Sequence, residues 1–349
     1  MATMKALMKK KAEYGISVEM VPVPTIQYDT DVLIKVKAAG ICGSDVHIYE
    51  WTDGYEWMAQ YLPIIIGHEF SGQVQETGKS VTNIKPGDRV VVKPGSRCGT
   101  CFYCSTNRRA MCINASSATI GLRRNGGFAE FVVVPGANCT LMPDAMTYEE
   151  GALVEPLSVG AAAASKGEIK LGDTVAVMGP GPIGLSALAA AKALGAATAI
   201  MIGTSQDTIR FEIAKAFGAD YIIEADKVDP VKAVLALTGG LGVQTVLEAT
   251  GAASTIQQAL NMVQKMSPVV AVGIYAKPVT FDLTSMVRSM KRLVTSYGRD
   301  GHWDQVINWV STKKVDVAKM IDERISLDQA ETAFERLVRK ESVKSVFIF

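Results

Sequence analysis

The segment Gly179-Pro180-Gly181-Pro182-Ile183-Gly184 constrains the fold most, because it separates the short apolar run Thr174–Met178 from the helical run Ile183–Leu194. A glycine-punctuated turn that leaves a strand and opens a helix is the first junction of a parallel βαβ unit. Gly179 permits the tight turn, Gly181 lets the backbone approach a pyrophosphate, and Gly184 allows close helix–strand packing. Pro182 and Ile183 open the helix, whose N-terminus offers amide donors and the positive end of its dipole. A G-x-G-x-x-G alone is weak and also fits a turn of no function; the strand before it and the helix after it carry the dinucleotide reading.

The rest of the second half agrees. Strands are expected at Thr198–Ile202, Tyr221–Glu224, Val243–Ala249, Val269–Val272 and Leu293–Ser296, with a helical stretch near Thr208–Phe217. Alternating strands and helices predict a doubly wound parallel sheet over 156–296. Thr250 and Gly273, which follow the strands Val243–Ala249 and Val269–Val272, join the expected cofactor-contacting set. The tail 297–349 holds helical stretches at Trp303–Ser311 and Leu327–Val338, and its last strand, Lys344–Phe349, is expected to return to the first domain.

An acid ending the second strand of such a sheet would meet a ribose 2′-hydroxyl. Here that strand runs into Gly203-Thr204-Ser205, and Asp207 stands farther into the loop. Without the carboxylate nothing repels a 2′-phosphate, and Thr204, Ser205 and Arg210 are candidate donors to it. Arg210 is equally readable as an ordinary surface helix residue. The pattern favours NADP over NAD.

Residues 1–155 read as short strands between turns, at Val32–Lys37, Phe70–Gln75, Arg89–Lys93 and Phe128–Val134, which predicts a β-rich domain of barrel-like type. Four of the six cysteines crowd into one lobe of it, about 95–113, as Cys98-x2-Cys101-x2-Cys104-x7-Cys112. Four thiolates make a closed tetrahedral zinc site, structural rather than catalytic. An iron–sulfur cluster could use the same ligands, but redox-inert zinc suits a hydride enzyme better. A second, dispersed set comprises Cys42, His68, Glu69 and Glu155. Each alone reads as a core thiol, a satisfied histidine or a surface acid. Together they offer S, N and O donors with a position left open for substrate. Two of the three histidines, His47 and His68, fall in these motifs.

A net charge of +1 gives no electrostatic case for nucleic acid or an anionic membrane. The first residues hold no apolar run long enough for secretion, and no apolar stretch is long enough to span a bilayer. The expectation is a cytoplasmic protein, in which clustered cysteines hold metal rather than form disulfides.

The motifs Gly40–His47, Gly67–Gly72, the four-cysteine lobe, Gly126–Glu130, Glu155-Pro156-Leu157-Ser158 and Gly179–Gly184 resemble, in order and along essentially the whole chain, the zinc-containing medium-chain dehydrogenases. The resemblance implies an α/β protein, with a GroES-like β-rich catalytic domain, a Rossmann cofactor domain and an active site between them. It implies two Zn²⁺ per chain, one catalytic and one structural, and a homo-oligomer, with a tetramer favoured and a dimer possible. Cys42 and His68 would bind the catalytic zinc with Glu69 or Glu155. Glu69 is preferred as ligand, with Glu155 as the catalytic acid that holds the zinc-bound water, and the roles exchange in some members. Ser44 would accept the substrate proton, His47 would relay it to solvent, and Asp45 would orient the histidine ligand or merely cap a turn. Met266-Ser267 departs from the glycine pair that many relatives carry in that turn.

The implied reaction is reversible hydride transfer between a secondary alcohol and NAD(P). Glu155-Pro156-Leu157-Ser158-Val159 resembles the polyol branch, whereas His47–Trp51 and Trp57–Gln60 resemble the L-threonine 3-dehydrogenase branch. The aromatic stretch Trp51–Tyr61 reads equally as a pocket wall, loop packing or an oligomer contact. The rival readings are a non-catalytic cofactor-binding relative, which should have lost ligands, and a zinc-free reductase, which needs neither Cys42 nor the cysteine lobe.

Overall fold

Val175, Ala176, Val177 and Met178 are all buried, so the strand Thr174–Met178 has no solvent face, as a parallel strand covered on both sides requires. In this computed structural model, which describes residues 2–95, 97–106, 108, 111–114, 119–298 and 302–349, the strand is central to a six-stranded sheet. The sheet order is Tyr221–Glu224, Thr198–Gly203, Thr174–Met178, Thr245–Glu248, Pro268–Ala271, Arg292–Thr295, and every pairing is parallel. The order reverses between Thr174–Met178 and Thr245–Glu248, and a crevice at the strand ends there is where such sheets bind ligands. The helix Pro182–Leu194 starts with proline at its first turn and stops at Gly195 (φ 113°), the usual asymmetry of helix ends.

The chain forms two compact units, Met1–Glu155 with Ile321–Phe349, and Pro156–Met320. In the first, the buried strand Asp31–Gly40 pairs with Glu69–Thr77, Phe131–Pro135 and Ser345–Ile348, all antiparallel. Arg89–Val92, Cys139–Leu141 and Glu323–Ile325 extend this sheet, and Ser17–Pro22, Thr3–Lys9 and Ile64–Ile65 form a smaller one. The core between them is mainly aliphatic, with Tyr49, Phe70, Phe128, Phe334 and Phe347 as its large rings.

The stretch 297–349 is divided between the units. Trp303–Ser311 is a helix of the second unit, where Trp303, Val306, Ile307, Trp309 and Val310 are buried. The part in the first unit starts at Ile321. The expected helix Leu327–Val338 is a 3-10 turn, Leu327–Gln329, followed by the α-helix Ala330–Val338. A helix that the motifs did not announce, Val154–Lys166, carries the chain through Glu155-Pro156. Among the described residues no helix is long and apolar enough to cross a membrane.

Candidate active site

Cys42 precedes the helix Gly43–Glu50 as its N-cap, and Asp45 folds back so that its Oδ2 accepts a hydrogen bond from the Cys42 amide at 2.9 Å. This capping arrangement leaves the other carboxylate oxygen, Asp45 Oδ1, 3.6 Å from His68 Nδ1. Asp45 is fully buried and His68 only 6% exposed. Burial opposes charge on the imidazole, but Asp45 and Cys42 outweigh it and hold the His68 pKa well above its ordinary value. With Nδ1 turned towards Asp45, Nε2 is the ring nitrogen available to a metal.

His68 and Glu69 enter the strand Glu69–Thr77, where Glu69 lies opposite Gly40. One ligand atom each from Cys42, His68 and Glu69 lies within 4.8 Å of the others. Glu69 is buried, and its Oε1 has no hydrogen-bond partner. Its Oε2 accepts from Lys344 Nζ, an equally buried group that also donates to the Ile41 carbonyl at 2.8 Å. Gly40 makes room for this pair: a Cβ there would stand 2.6 Å from Glu69 Oε2 and 3.1 Å from Lys344 Cε. A buried carboxylate with one oxygen neutralised and the other unsatisfied, beside a thiol and an imidazole, fits a divalent cation. Glu155 is half-buried next to this cluster. Burial pushes its carboxyl up to about 7, a rise that His68 opposes and Glu69 reinforces.

The four lobe cysteines also converge. Cys98 Sγ is 3.6 Å from Cys112 Sγ and 4.0 Å from Cys104 Sγ, and Cys101 Sγ is 3.9 Å from Cys112 Sγ. Those separations rule out disulfides and match the edge of a ZnS4 tetrahedron, about 3.8 Å for Zn–S bonds of about 2.3 Å. Backbone N–H donors from Cys101 and Thr100 lower the Cys98 pKa to about 5, which favours the ligating thiolate. Residues 96, 107, 109 and 110 of the lobe lie outside the described residues.

In the second unit, Gly179 has φ 92°, and a Cβ there would stand 2.9 Å from Thr250 Cγ2; a Cβ on Gly184 would collide with the Gly179 carbonyl. Gly181 faces open space. Gly179 and Thr250 therefore flank the reversal point of the sheet. Thr250 is anchored by Glu248, whose Oε1 accepts from the Thr250 amide at 2.8 Å and from Thr255 Oγ1 at 3.0 Å. Tyr275 OH donates to Glu248 Oε2, and Gly273 N donates to the Glu248 carbonyl at 3.1 Å.

A Cβ at Gly203 would lie 2.8 Å from Pro180 and 2.9 Å from Phe211, so a side chain there would need both neighbours to shift. The loop beyond departs from the sequence picture of free donors. Asp207 folds back: its Oδ2 accepts from Thr204 N and Oγ1, both at 2.9 Å, and its Oδ1 from Arg210 Nη1 at 3.0 Å. Asp226 takes both the Ser205 amide and hydroxyl.

Residues 28–144 match the alcohol dehydrogenase GroES-like domain, and residues 182–312 match the zinc-binding dehydrogenase family. Over 352 residues the chain is 38% identical to L-threonine 3-dehydrogenase of Bacillus subtilis (strain 168), covering 99% of this chain and 98% of that protein. The chain belongs to the zinc-containing medium-chain dehydrogenase/reductase superfamily. This dehydrogenase is also 36% identical to sorbitol dehydrogenase of the same strain, over 93% of this chain and 91% of that one. Its structure is similar to that of 2R,3R-butanediol dehydrogenase from Bacillus subtilis, with a TM-score of 0.89, 31% identity and 99% of each chain covered.

Within this dehydrogenase the site contains residues that spacing did not reveal. Lys344 is the chief one, 275 residues from the Glu69 it meets. Thr52 is another, its Oγ1 lying 3.1 Å from His47 Nδ1. His47 is exposed, and its ring stacks on Tyr55. The aromatic stretch is an ordered row, Tyr55–Trp57–Tyr61, packed against the β core, with the Arg123 guanidinium over Trp57.

Proposed function

We propose that this medium-chain dehydrogenase interconverts a secondary alcohol beside a second polar group and the corresponding ketone, using NAD(P). The observation that carries the reading is the convergence of Cys42, His68 and Glu69 around a carboxylate oxygen with no partner. A non-catalytic relative would have no use for that set, and a zinc-free reductase would not need the four-thiol lobe.

Cys42, His68 and Glu69 would hold the catalytic zinc, Glu155 would stand next to it, and Cys98, Cys101, Cys104 and Cys112 would hold the structural one. A zinc held there would supply Lewis-acid polarisation of the alcohol oxygen, and a bound nicotinamide would supply the hydride acceptor. The Asp45 carboxylate faces the His68 ring at 3.6 Å and favours its charge, and Lys344 offsets the Glu69 charge, so the protein contributes a partly neutralised donor set. Ser44 takes the hydroxyl proton. His47, one turn along the same helix and open to solvent, passes it to water with its ring held by Thr52.

The relatives' names carry threonine, sorbitol and 2R,3R-butanediol, each a secondary alcohol with a polar neighbour, and that shared chemistry is the substrate class proposed. The second candidate within it, L-threonine, is favoured by the identity to the threonine dehydrogenase. For the cofactor we propose NADP over NAD, because the second strand ends on Gly203 rather than an acid and Thr204, Ser205 and Arg210 follow it in the chain. Asp207 and Asp226 oppose a 2′-phosphate and set the size of that preference. A homo-oligomer, tetrameric by preference on the family resemblance, is proposed as well; the edge strand Arg292–Thr295 and the exposed Leu283, Val287 and Met290 offer a surface for a second copy.

The test follows reduced-nicotinamide absorbance with NADP⁺ and NAD⁺ against polyols, vicinal diols and L-threonine. Cys42→Ser and His68→Ala should each lower kcat/KM by at least about a thousandfold, about 4 kcal/mol, in a protein with unchanged circular dichroism. Full activity in either variant refutes the assignment.

A further inference from the structure

We propose that Glu248 is a positioning residue: its buried carboxylate ties two loops into one shelf for the nicotinamide half of the cofactor, and Tyr275 tethers the outer loop to it. The inference rests on the dehydrogenase reading above and adds a residue that acts on the cofactor through others.

Glu248 ends the strand Thr245–Glu248, with Met178 beside it in one neighbouring strand and Ala271 beside it in the other. Gly179 follows Met178 directly, so Glu248 stands at the strand ends next to the glycine turn. It is fully buried. Its Oε1 accepts from the Thr250 amide at 2.8 Å and from the Thr250 hydroxyl, and lies 3.0 Å from Thr255 Oγ1 at the start of the helix Thr255–Met262. Its Oε2 accepts from Tyr275 OH. Its main-chain carbonyl accepts from the amides of Val272 at 2.8 Å and Gly273 at 3.1 Å. One residue therefore holds both the loop after its own strand and the loop after the next.

The two loops meet at the level of the backbone. A Cβ on Gly273 would stand 2.3 Å from Gly251 N, and one on Gly251 would stand 2.5 Å from the Ile274 carbonyl oxygen, so each position needs glycine. On its other side Thr250 packs on the glycine turn, since a Cβ on Gly179 would lie 2.9 Å from Thr250 Cγ2 and 3.0 Å from Thr250 N. The shelf thus continues the turn that a pyrophosphate would approach. A doubly wound sheet is built of two mononucleotide-binding halves. Gly203, at the expected ribose of the adenosine, ends a strand of the half that holds Thr174–Met178. The shelf follows Thr245–Glu248 and Pro268–Ala271 in the other half, which leaves it the nicotinamide end. Beyond Gly273 the chain emerges, with Ile274 77% exposed, and Tyr275 pins it by resting on the apolar core of the unit and donating to Glu248. A ligand that meets a loose loop must supply the ordering that a tethered loop already has, and binds more weakly for it.

The experiment measures binding rather than turnover. NADPH and NADH are titrated into zinc-loaded protein by nicotinamide fluorescence, and the adenosine fragments 2′,5′-ADP and 5′-AMP by competition against them. Tyr275→Phe keeps the ring and loses only the tether; it should weaken the preferred dinucleotide at least about fivefold. Glu248→Gln keeps an acceptor for the Thr250 amide but none for Tyr275 OH, and should weaken it at least about tenfold. Both should leave the matching fragment within about twofold, and the double variant should bind about as Glu248→Gln does, because the tether acts through the carboxylate. A merely structural role would lower the unfolding midpoint of the cofactor-free protein without separating dinucleotide from fragment. If Glu248→Gln does not fold, Tyr275→Phe decides alone. Unchanged dinucleotide affinity in Tyr275→Phe, or an equal loss for the fragment, overturns the proposal while the dehydrogenase reading stands. A wild type that binds neither dinucleotide refutes that reading, and the shelf with it.

Discussion

Replacing Lys344 by methionine keeps most of the side-chain volume and removes the ammonium that pairs with Glu69 in the buried sheet. Both groups are essentially inaccessible, at 0% and 1% side-chain exposure, so solvent cannot screen the loss. Breaking a buried pair by removing one partner costs about 3–5 kcal/mol, since the remaining charge stays buried. Ile41 also loses a 2.8 Å donor to its carbonyl, adding about 1 kcal/mol. The sum, about 4–6 kcal/mol, rivals the whole stability of an ordinary domain. Denaturant unfolding of zinc-free protein should therefore show a large loss for Lys344→Met and a partial recovery in the Glu69→Gln, Lys344→Met double variant. Bound zinc supplies the missing positive charge, so the deficit should shrink in the zinc-loaded form, and the variant should release zinc more slowly to a chelator. A loss under about 1 kcal/mol in the zinc-free form, or no recovery in the double variant, refutes the coupling.

Other outcomes follow from the same structure. Cys104→Ser should lower the zinc content by one per chain while Cys42, His68 and Glu69 keep theirs, as read by elemental analysis. Burial pushes the Lys9 pKa down to about 8 from 10.5, the Glu13 charge partly opposing it, so the unfolded chain binds that proton more tightly. Its contribution makes stability rise with pH between about 8 and 10, and Lys9→Met should remove that part of the slope in denaturant titrations at several pH values. Asp226→Asn removes a negative charge that holds Ser205, and should raise the NADP-to-NAD ratio of kcat/KM about fivefold to tenfold, or about 1 kcal/mol. An unchanged ratio would detach Asp226 from cofactor choice.

Chemistry-bearing motifs were legible because their residues are scarce and their spacing is local. The lobe cysteines span 15 positions, and the Gly179–Gly184 turn carries its own strand and helix. Long-range partnership was not legible in that way. Lys344 is one lysine among many, and only its place within the apolar end strand hinted at burial. Asp207 was set aside by counting along the loop, yet the loop turns back and brings its carboxylate to Thr204. The strand Thr3–Lys9 is not legible in the sequence because Met, Lys, Ala and Leu are helix formers; pairing with Ser17–Pro22 overrides that preference. Met266 adopts φ 67°, so the turn keeps the left-handed geometry that suits glycine, even though the residue has changed.

The distance along the chain between Glu69 and Lys344 also sets a timetable. At about 5–20 residues per second of synthesis, the 275 intervening residues take about 14–55 s to emerge. For that interval the nascent chain already carries Cys42, His68 and Glu69, but not the lysine that neutralises the carboxylate or the strand Ser345–Ile348 that closes the sheet beside Gly40. Pro156–Met320 is contiguous and can fold while the first unit waits for its last pieces. The first unit therefore completes the Glu69–Lys344 pair, and the sheet edge beside Gly40, only when its last strand has emerged.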